Sequence, residues 1–517
     1  MQTLENLQYT HPAYQDHTQN AEYLYRSYIG GDLYRTGDYL TRYFGEDSDG
    51  HSNLYTKRLN STPLNNYVKT TIDIYRSFLF RELPHRNLGT LSKNPLVSEW
   101  VNDTDNDGQN MDSFLKTMND FACIMGNMWI LVDKPSYAVE TMAQEIQMGI
   151  RPYACMYSPS AVMDWEYKRN VAGKKVLQYI KVIEENTNHY TTISVWYPDF
   201  IERYTIAKDS TTGSMEKITE HNEYVNPLGY IPFINHAPIP TPQKGMGYSL
   251  VEDVADTQKY IYNMLSELEQ TVRISGHPTL CKTSATNATA GAGSIVTMPE
   301  DLDPGLTPFL LQPTGATIGG ILDTIDKQVE SIQKTTHTSA VQGTKGSPMS
   351  GVALQTERQL LNAKLSDLAD TLEETEKKMW NMWSDWTGIE LPQEFSIDYV
   401  DTFDIRDQHS ELELLTRAAD NVPHDIFKHY IHDSIVNLLV EDPAQATDIK
   451  KKIAEEHDMA NSLHPVTTPE TRQPHIQQMI MDGLTDAEQL ALHPEIGQED
   501  IDSARQAMSI TDADSDE

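Results

Sequence analysis

Two clusters in this chain have residue types suited to chemistry, and each falls short of a reactive site. Asp103-Thr104-Asp105-Asn106-Asp107-Gly108 has the alternating acidic side chains and turn glycine that open a calcium-binding EF-hand loop. Such a loop ends in a bidentate Glu at its twelfth position, and Phe114 stands there. The segment therefore reads as a solvated loop capping the helix after it. His424, His429 and His432 share one expected helix with Asp425 and Asp433. The step from His429 to His432 puts both rings on one face, but no third ligand is evident and no His-Glu-x-x-His run occurs, so a surface helix is the plainer reading. No Gly-x4-Gly-Lys-Ser/Thr sequence is present, and Gly173-Lys174-Lys175 lacks the upstream glycine, so ATP hydrolysis is not expected. There is no Gly-x-Ser-x-Gly nucleophile elbow. Paired carboxylates carry no weight among 76 acidic residues. The expectation is a protein that is not an enzyme and holds no metal or cofactor. The contrary reading, a metal-dependent hydrolase or nuclease in an acidic α+β fold, needs a clustered carboxylate–histidine site that the sequence does not display.

Composition narrows the field further. A length of 517 residues allows several folding units. The formal net charge of -36, from 76 acidic against 40 basic residues, is wrong for a protein that grips nucleic acid by neutralising phosphates. It suits either plain solubility or a wall past which a phosphate backbone slides without sticking. Cys123, Cys155 and Cys281 are few, odd in number and far apart, which fits neither a disulfide framework nor a zinc site and points to a reducing compartment. The polar start Met1-Gln2-Thr3-Leu4-Glu5 is unlike a signal peptide, and no run of 18 apolar residues marks a membrane span. The tripeptides at Asn60, Asn102 and Asn287 read as chance matches to a glycosylation acceptor.

The strongest organisation lies in the elements between Ser249 and Trp386, three helical stretches interrupted twice. The first carries Leu250, Val254, Ile261, Leu265, Leu268 and Val272 at three-four spacing, with Thr257 in the remaining slot. Ser249 and Glu252 read as a capping box, and Gly276 with Pro278 as the stop. Asp253, Asp256, Lys259, Glu267 and Glu269 occupy the other face. The second uses Ile318, Ile321, Leu322, Ile325, Val329 and Ile332, with Asp323, Asp326 and Glu330 outside the stripe. The third follows Ser350-Gly351 and runs through Leu354, Leu361, Leu365, Leu368, Leu372, Met379, Met382 and Trp386. An ordinary helical core would give the same periodicity. What lies between is more telling. Residues 279–316 hold Ala285, Thr286, Ala288, Thr289, Ala290, Gly291, Ala292 and Gly293, then short apolar runs at Ser294–Met298 and Pro308–Leu311. This is expected to be a small strand-and-turn projection joining the ends of two antiparallel helices. His337–Ser350, with Gly343, Gly346 and Pro348, is expected to be a polar loop.

This order resembles the portal protein of tailed bacteriophages, of the podovirus and siphovirus type. The N-terminal block adds to the likeness: Tyr28-Ile29-Gly30-Gly31-Asp32-Leu33-Tyr34-Arg35-Thr36-Gly37-Asp38-Tyr39-Leu40, then Tyr55-Thr56-Lys57-Arg58-Leu59, then Thr62-Pro63-Leu64-Asn65-Asn66-Tyr67, then a helix with Ile72, Ile74, Tyr75, Phe78 and Phe80. The resemblance implies a predominantly helical α+β subunit of a ring-forming channel. Residues 1–248 and 352–400 would be the wing, 249–275 and 317–337 the stem helices, 276–316 the clip, 338–351 the tunnel loop and 401–460 a helical crown. Residues 461–517 would be an acidic, partly disordered tail. Leu250, Val254, Ile261, Leu265, Ile321, Ile325 and Val329 would pack stem against stem between subunits. Thr283, Thr286, Asn287, Thr289, Asp301 and Asp303 would present the clip to the packaging motor and later to adaptor proteins. Gln342, Gly343, Thr344, Lys345, Gly346 and Ser347 would bring the tunnel loop to the DNA, with Lys345 its one formal positive charge. The implied partners are further copies in a dodecameric ring, the terminase large subunit, major capsid and scaffolding proteins, a head-completion or tail adaptor protein, and double-stranded DNA passing without sequence-specific binding. The implied location is a unique capsid vertex of a virion assembled in the host cytoplasm, with no membrane.

Elsewhere, residues 20–85 read as helical, as do 112–127, ended by Gly126. Met128–Val132 reads as a buried strand. The runs Tyr153–Tyr157, Val176–Ile183, Tyr190–Tyr197 and Phe200–Ile206 predict an antiparallel meander at about 150–240. Pro232, Pro238, Pro240 and Pro242 stiffen the approach to the first central helix.

Overall fold

The structure, a computed structural model, describes residues 2–44, 46, 53–135, 144, 148–209, 211–276, 279–281, 303, 309–311, 315–342, 351–400 and 403, with 412, 415–418, 431–436, 439, 449–453, 476 and 501–505 beyond them. The chain forms two compact units, Met1–Asp404 and Ile405–Glu517.

The first unit opens with α1 (Leu4–Gln8), α2 (Tyr14–Ile29), α3 (Gly31–Arg35), α4 (Leu54–Ser61) and α5 (Tyr67–Leu79). Strand β1 (His85–Asn87), α6 (Pro95–Asn102), α7 (Met111–Met125), β2 (Met128–Asp133) and β3 (Tyr153–Tyr157) follow. Then come β4 (Val162–Arg169), β5 (Lys175–Asn186), β6 (Tyr190–Trp196), β7 (Phe200–Lys208), β8 (Met215–Val225) and β9 (Phe233–His236). The proline-rich approach holds the two-residue pair β10 (Ile239–Pro240) and β11 (Gly247–Tyr248). The central elements are α8 (Glu252–Gly276), β12 (Thr279–Cys281), β13 (Phe309–Leu311), α9 (Gly315–Thr335), α10 (Ser339–Gln342) and α11 (Gly351–Thr387). Finally β14 (Ser396–Asp398) pairs antiparallel with β1.

Local chemistry sets the helix ends. The Asn66 side chain accepts from the Lys69 amide to start α5, and Asn94 with Pro95 starts α6. Asn110 accepts from the Ser113 amide at 2.9 Å to start α7, so the cap is Asn110 rather than the acidic loop before it. In that loop Asp103 accepts from the Gly108 amide at 2.8 Å, and Asp105 from the amides of Asp107 and Gln109. Arg151 pairs with the other Asp103 oxygen at 2.6 Å. The carboxylates of Asp103 and Asp105 are thus engaged by the protein's own donors. The expected capping box at α8 does not form. Ser249 accepts from the Val251 amide at 3.0 Å, while Glu252 turns away from the helix start and accepts from Asn20 on α2 at 3.0 Å.

The largest core joins α2, α5, α6, α7, α8, α9 and α11 through Leu24, Val68, Ile72, Trp100, Phe114, Met118, Val254, Ile261, Leu365, Leu372 and Trp380, among others. The long helix α11 brings Leu361, Leu365, Leu368, Leu372 and Met379 inward, and Trp380 stands edge-on to Trp100 at 6.5 Å. In its C-terminal third Glu376 is fully buried. It accepts from Arg86 on β1, from Tyr399 at 2.7 Å and from Trp380 at 3.2 Å. Arg86 also pairs with Asp112, in the first turn of α7, at 2.7 Å. Burial alone would pull the Arg86 guanidinium down, but bonding to Glu376 and Asp112 outweighs it and holds it charged.

The sheet β4-β5-β6-β7-β8 is an antiparallel meander with both faces covered. Strand period two divides its residues. Val162, Trp165, Ile180, Val182 and Trp196 meet Trp129, Leu131 and Phe233 of the three-stranded sheet β3-β2-β9. Met163, Ile193, Val195, Tyr204 and Ile206 face the other way and receive Leu7 of α1. Strands β4 and β8 have no counterpart in the sequence expectation. Most side chains of β8 are exposed, which removes its apolar signal, while in β4 only Trp165 and Tyr167 alternate with Asp164, Glu166 and Lys168, a short run that the bulge after Val162 sets off from the apolar residues before it. In the second unit, residues 431–436, 449–453 and 501–505 are helical. Ile431, Val436, Ile476, Ile501 and Ala504 are buried, so some of the stretch read as a loose tail carries core residues.

Gly126, at the end of α7 with φ +97°, lies against Gly247: a Cβ on Gly126 would stand 2.5 Å from the Gly247 carbonyl oxygen. Gly126→Ala is expected to lower stability by about 1–3 kcal/mol in denaturant unfolding, through both the left-handed backbone and that contact. His236 is buried on β9 between the hydroxyl of Thr375 at 2.8 Å and Asn119 at 3.3 Å, and burial lowers it to about 3. Its unfolded form takes a proton near pH 6.5, so stability falls as pH drops from 6.5 toward 3, by about 1.4 kcal/mol per unit. Buried Asp120 has the opposite sign. Burial raises it to about 7 against Arg76 and Lys116, so its contribution is lost as pH rises from 3.8 to 7. Between pH 4 and 6.5 the two slopes oppose each other, so His236→Gln should leave the Asp120 slope alone, and melts of the variant should rise toward acid where those of the unaltered chain stay nearly level.

Candidate functional site

The central unit is a helical hairpin ending in a β ladder. Helices α8 and α9 pack on each other, and β12 continues α8 into an antiparallel pairing with β13, Thr279 opposite Leu311 and Cys281 opposite Phe309. The α8 start and α9 end form the inner half. Val251, Val254, Ala255, Ile261, Ile325 and Ile332 are buried there. Gln258, also buried, accepts from the Val68 amide at 3.0 Å and donates to the Ser27 carbonyl at 3.1 Å, which seats α8 on α5 and α2. Two turns further along α8, Arg58 is buried against Glu46 at 2.7 Å and donates to Ser266 at 2.9 Å, with its guanidinium 3.8 Å over the Tyr43 ring.

The outer half differs. Leu265 and Leu268 are half-buried, Val272 is 50% exposed and Leu322 44% exposed. Pro63, Leu265, Leu268, Glu269, Val272 and Arg273 line an open groove of about 410 Å³. Of the seven residues expected to pack stem against stem, Leu250, Val254, Ile261 and Ile325 lie in the chain's own core, and Leu265, Ile321 and Val329 are partly covered by it. Leu250, Val254, Ile261 and Ile325 are therefore already used inside the subunit. Pro63 in the groove carried no signal, because it comes from a distant segment. Asp323, Asp326 and Glu330 are exposed, as their place outside the stripe implies.

The loop after α9 has a built base. The Tyr75 hydroxyl donates to the Thr336 carbonyl at 2.7 Å inside the core. The hydroxyls of Thr336 and Thr338 are 2.8 Å apart, His337 turns the chain at φ +56°, and Gln333 donates to Gln342 at 3.1 Å. His337 Nδ1 stands 3.9 Å from Glu357 near the start of α11. None of these contacts was legible in sequence, since each joins residues that no local pattern links. Of the expected loop residues Gln342 ends α10, while Gly343, Thr344, Lys345, Gly346 and Ser347 lie outside the described residues. Of the expected clip residues Asp303 is exposed, and Thr283, Thr286, Asn287, Thr289 and Asp301 lie outside them, as does the run Ser294–Met298. His424 and His429 do too, and His432 is exposed. Among the described residues no group of three or more His, Cys, Asp or Glu is placed to hold a metal ion, and no helix is long and apolar enough to cross a membrane.

A model of the family described as phage portal protein, SPP1 Gp6-like, matches residues 7–390. The chain belongs to that family. The match spans the hairpin, the loop and α11, and the second compact unit lies beyond it. No curated protein matches the chain. Portal-family membership makes this a viral structural protein and accounts for an elaborate helical centre with no assembled reactive cluster among the described residues.

The base of the portal loop is testable by itself. Tyr75→Phe removes one buried donor from the Thr336 carbonyl. Amide exchange over 336–342 is expected to speed up about tenfold, for a loss of about 1.4 kcal/mol, with α5 exchange little changed.

Proposed function

We propose that this chain is the subunit of a ring, dodecameric as the resemblance implies, whose bore passes double-stranded DNA into and out of the capsid at one vertex. Membership in the portal family supports the role. The observation carrying the ring itself is the outer half of the hairpin, where Val272 and Leu322 are exposed and Leu265 and Leu268 are only partly covered by the chain's own core. Apolar surface on a projecting hairpin is what a neighbouring copy would remove from water. In this reading α8 and α9 are the stem, and Leu265, Ile321 and Val329 join Val272 and Leu322 at the contact between copies. The β12–β13 ladder roots a clip that meets the terminase large subunit and later a head-completion or tail adaptor. The loop from Gln342 reaches the DNA, and its Lys345 would supply a ring of weak, register-free phosphate contacts. The remainder of residues 1–248 with α11 forms the wing against capsid and scaffolding proteins, and the second unit the crown. The protein does no covalent chemistry.

Val272→Asp and Leu322→Asp are expected to abolish rings in electron micrographs while circular dichroism stays that of the folded subunit. Ile325→Asp should behave differently, destabilising the subunit by about 3 kcal/mol or more, because the charge would enter its own core. Intact rings from both outer variants would defeat this placement of the contact.

A further inference from the structure

The meander has unlike edges. Its strands alternate in direction, so the β4–β5 turn, the β6–β7 turn and the C-terminal end of β8 lie at the same end of the sheet. At the β4 edge of that end, Lys168, Arg169, Lys174 and Lys175 stand within eight positions that contain no acid, all exposed. Val171 at the apex is fully exposed. In a chain with only 40 Lys and Arg among 517 residues this is a concentration of positive charge. Lys168 pairs with Glu166 at 3.0 Å and Arg169 donates to the Gly173 carbonyl at 2.6 Å, whereas Lys174 and Lys175 make no ion pair among the described residues. At the opposite edge β8 exposes Glu216, Glu220 and Glu223, with Tyr224 38% and Val225 79% exposed. Among the described residues β8 has no strand on its outer side.

One edge therefore offers cations around an apolar apex, and the other offers carboxylates beside an aromatic and an apolar side chain. These are opposite edges of one sheet, so a single copy cannot bring them together, but two copies can. Such a contact is heterologous, and heterologous contacts close into rings when the rotation between copies allows it. We propose that the β4–β5 hairpin tip of one copy docks on the Glu220–Val225 end of β8 in the next, so that charge pairing at the sheet fixes the order and spacing of neighbours. This rests on the ring reading above. The apolar apex and the matching carboxylates on the same chain favour a protein surface over nucleic acid as the occupant of the tip.

The test uses the full chain in three forms: Lys174→Glu with Lys175→Glu, Glu220→Lys with Glu223→Lys, and all four changes together. Assembly is followed by light scattering and class averages against subunit concentration at about 0.1 M salt, where exposed charges still interact within about 10 Å. Each two-residue variant should raise the concentration for half-assembly by about tenfold or more, with unchanged circular dichroism, and the four-residue variant should restore it. Unchanged assembly of the two-residue variants beside normal wild-type rings would overturn this contact and leave the ring reading standing. Wild-type protein that never assembles would overturn both. Normal assembly of the lysine variant with a loss of duplex DNA binding would overturn it in favour of phosphate recognition by the tip.

Discussion

A carboxylate with no access to water must be met by donors, and Glu376 meets that demand in a way that fixes the first unit. Removing one partner from such a pair leaves an uncompensated buried charge, which costs several kcal/mol, so the arrangement has little freedom to slide. Arg86 sits on β1, Tyr399 follows β14, Trp380 lies one turn along α11, and Asp112 opens α7. The network thereby sets the rotation and register of α11 against α7. Helix α11 is 37 residues long, about 55 Å at 1.5 Å per residue, so fixing it at Glu376, in its C-terminal third, also fixes where its ends lie. One of those ends emerges from the loop that α9 enters.

From that constraint the hairpin takes its two-part character. Its inner half is clamped by Gln258 and the Tyr75 hydroxyl and surrounded by α2, α5, α7 and α11. Its outer half is held by Arg58 at Ser266 and by Tyr43 at Glu267, yet keeps apolar side chains that nothing in the described chain fully covers. The same amphipathic stripe thus serves two purposes along its length. Near the core it is buried within the subunit, and further out it is exposed at Val272 and Leu322, the latter three residues from buried Ile325.

That division marks the limit of what periodicity conveys. The spacing of Leu250, Val254, Ile261 and Leu265 identifies which face of α8 is apolar, because three-four spacing is a property of the helix itself. It does not say whether the covering atoms belong to the same chain. The strand runs near 176, 190 and 200 were readable because both faces of the meander are buried along them and β-branched residues fill them, whereas the run near 153, expected in the same meander, pairs with β2 in the three-stranded sheet instead. The outer strand β8 was not, because solvent on its side chains removes the apolar signal while the backbone ladder to β7 persists. Glu252 stands at the spacing of a cap and is instead a partner of Asn20, a tertiary preference no local pattern contains. The portal likeness was legible in the order of elements, whereas the Tyr75–Thr336 and Gln333–Gln342 contacts at the loop base depend on the folded path alone.

The charge of the chain bears on assembly as much as on the bore. Copies carrying a net charge of -36 repel one another, and the repulsion is strongest where acidic faces approach within a Debye length, about 8 Å at physiological salt. A ring of such copies needs contacts at which the repulsion is locally reversed or irrelevant. The outer hairpin meets the second condition, because burying Leu265, Leu268, Val272 and Leu322 gains free energy whatever the net charge. The β4–β5 tip meets the first, because it gathers scarce cations at one edge while the acids of β8 stand at the other. An apolar contact alone would tolerate several relative orientations, whereas opposite charges at unlike edges select one. In the proposed ring the acidic remainder would be free to face solvent and DNA, where weak attachment to phosphate is an advantage for a strand that has to keep moving.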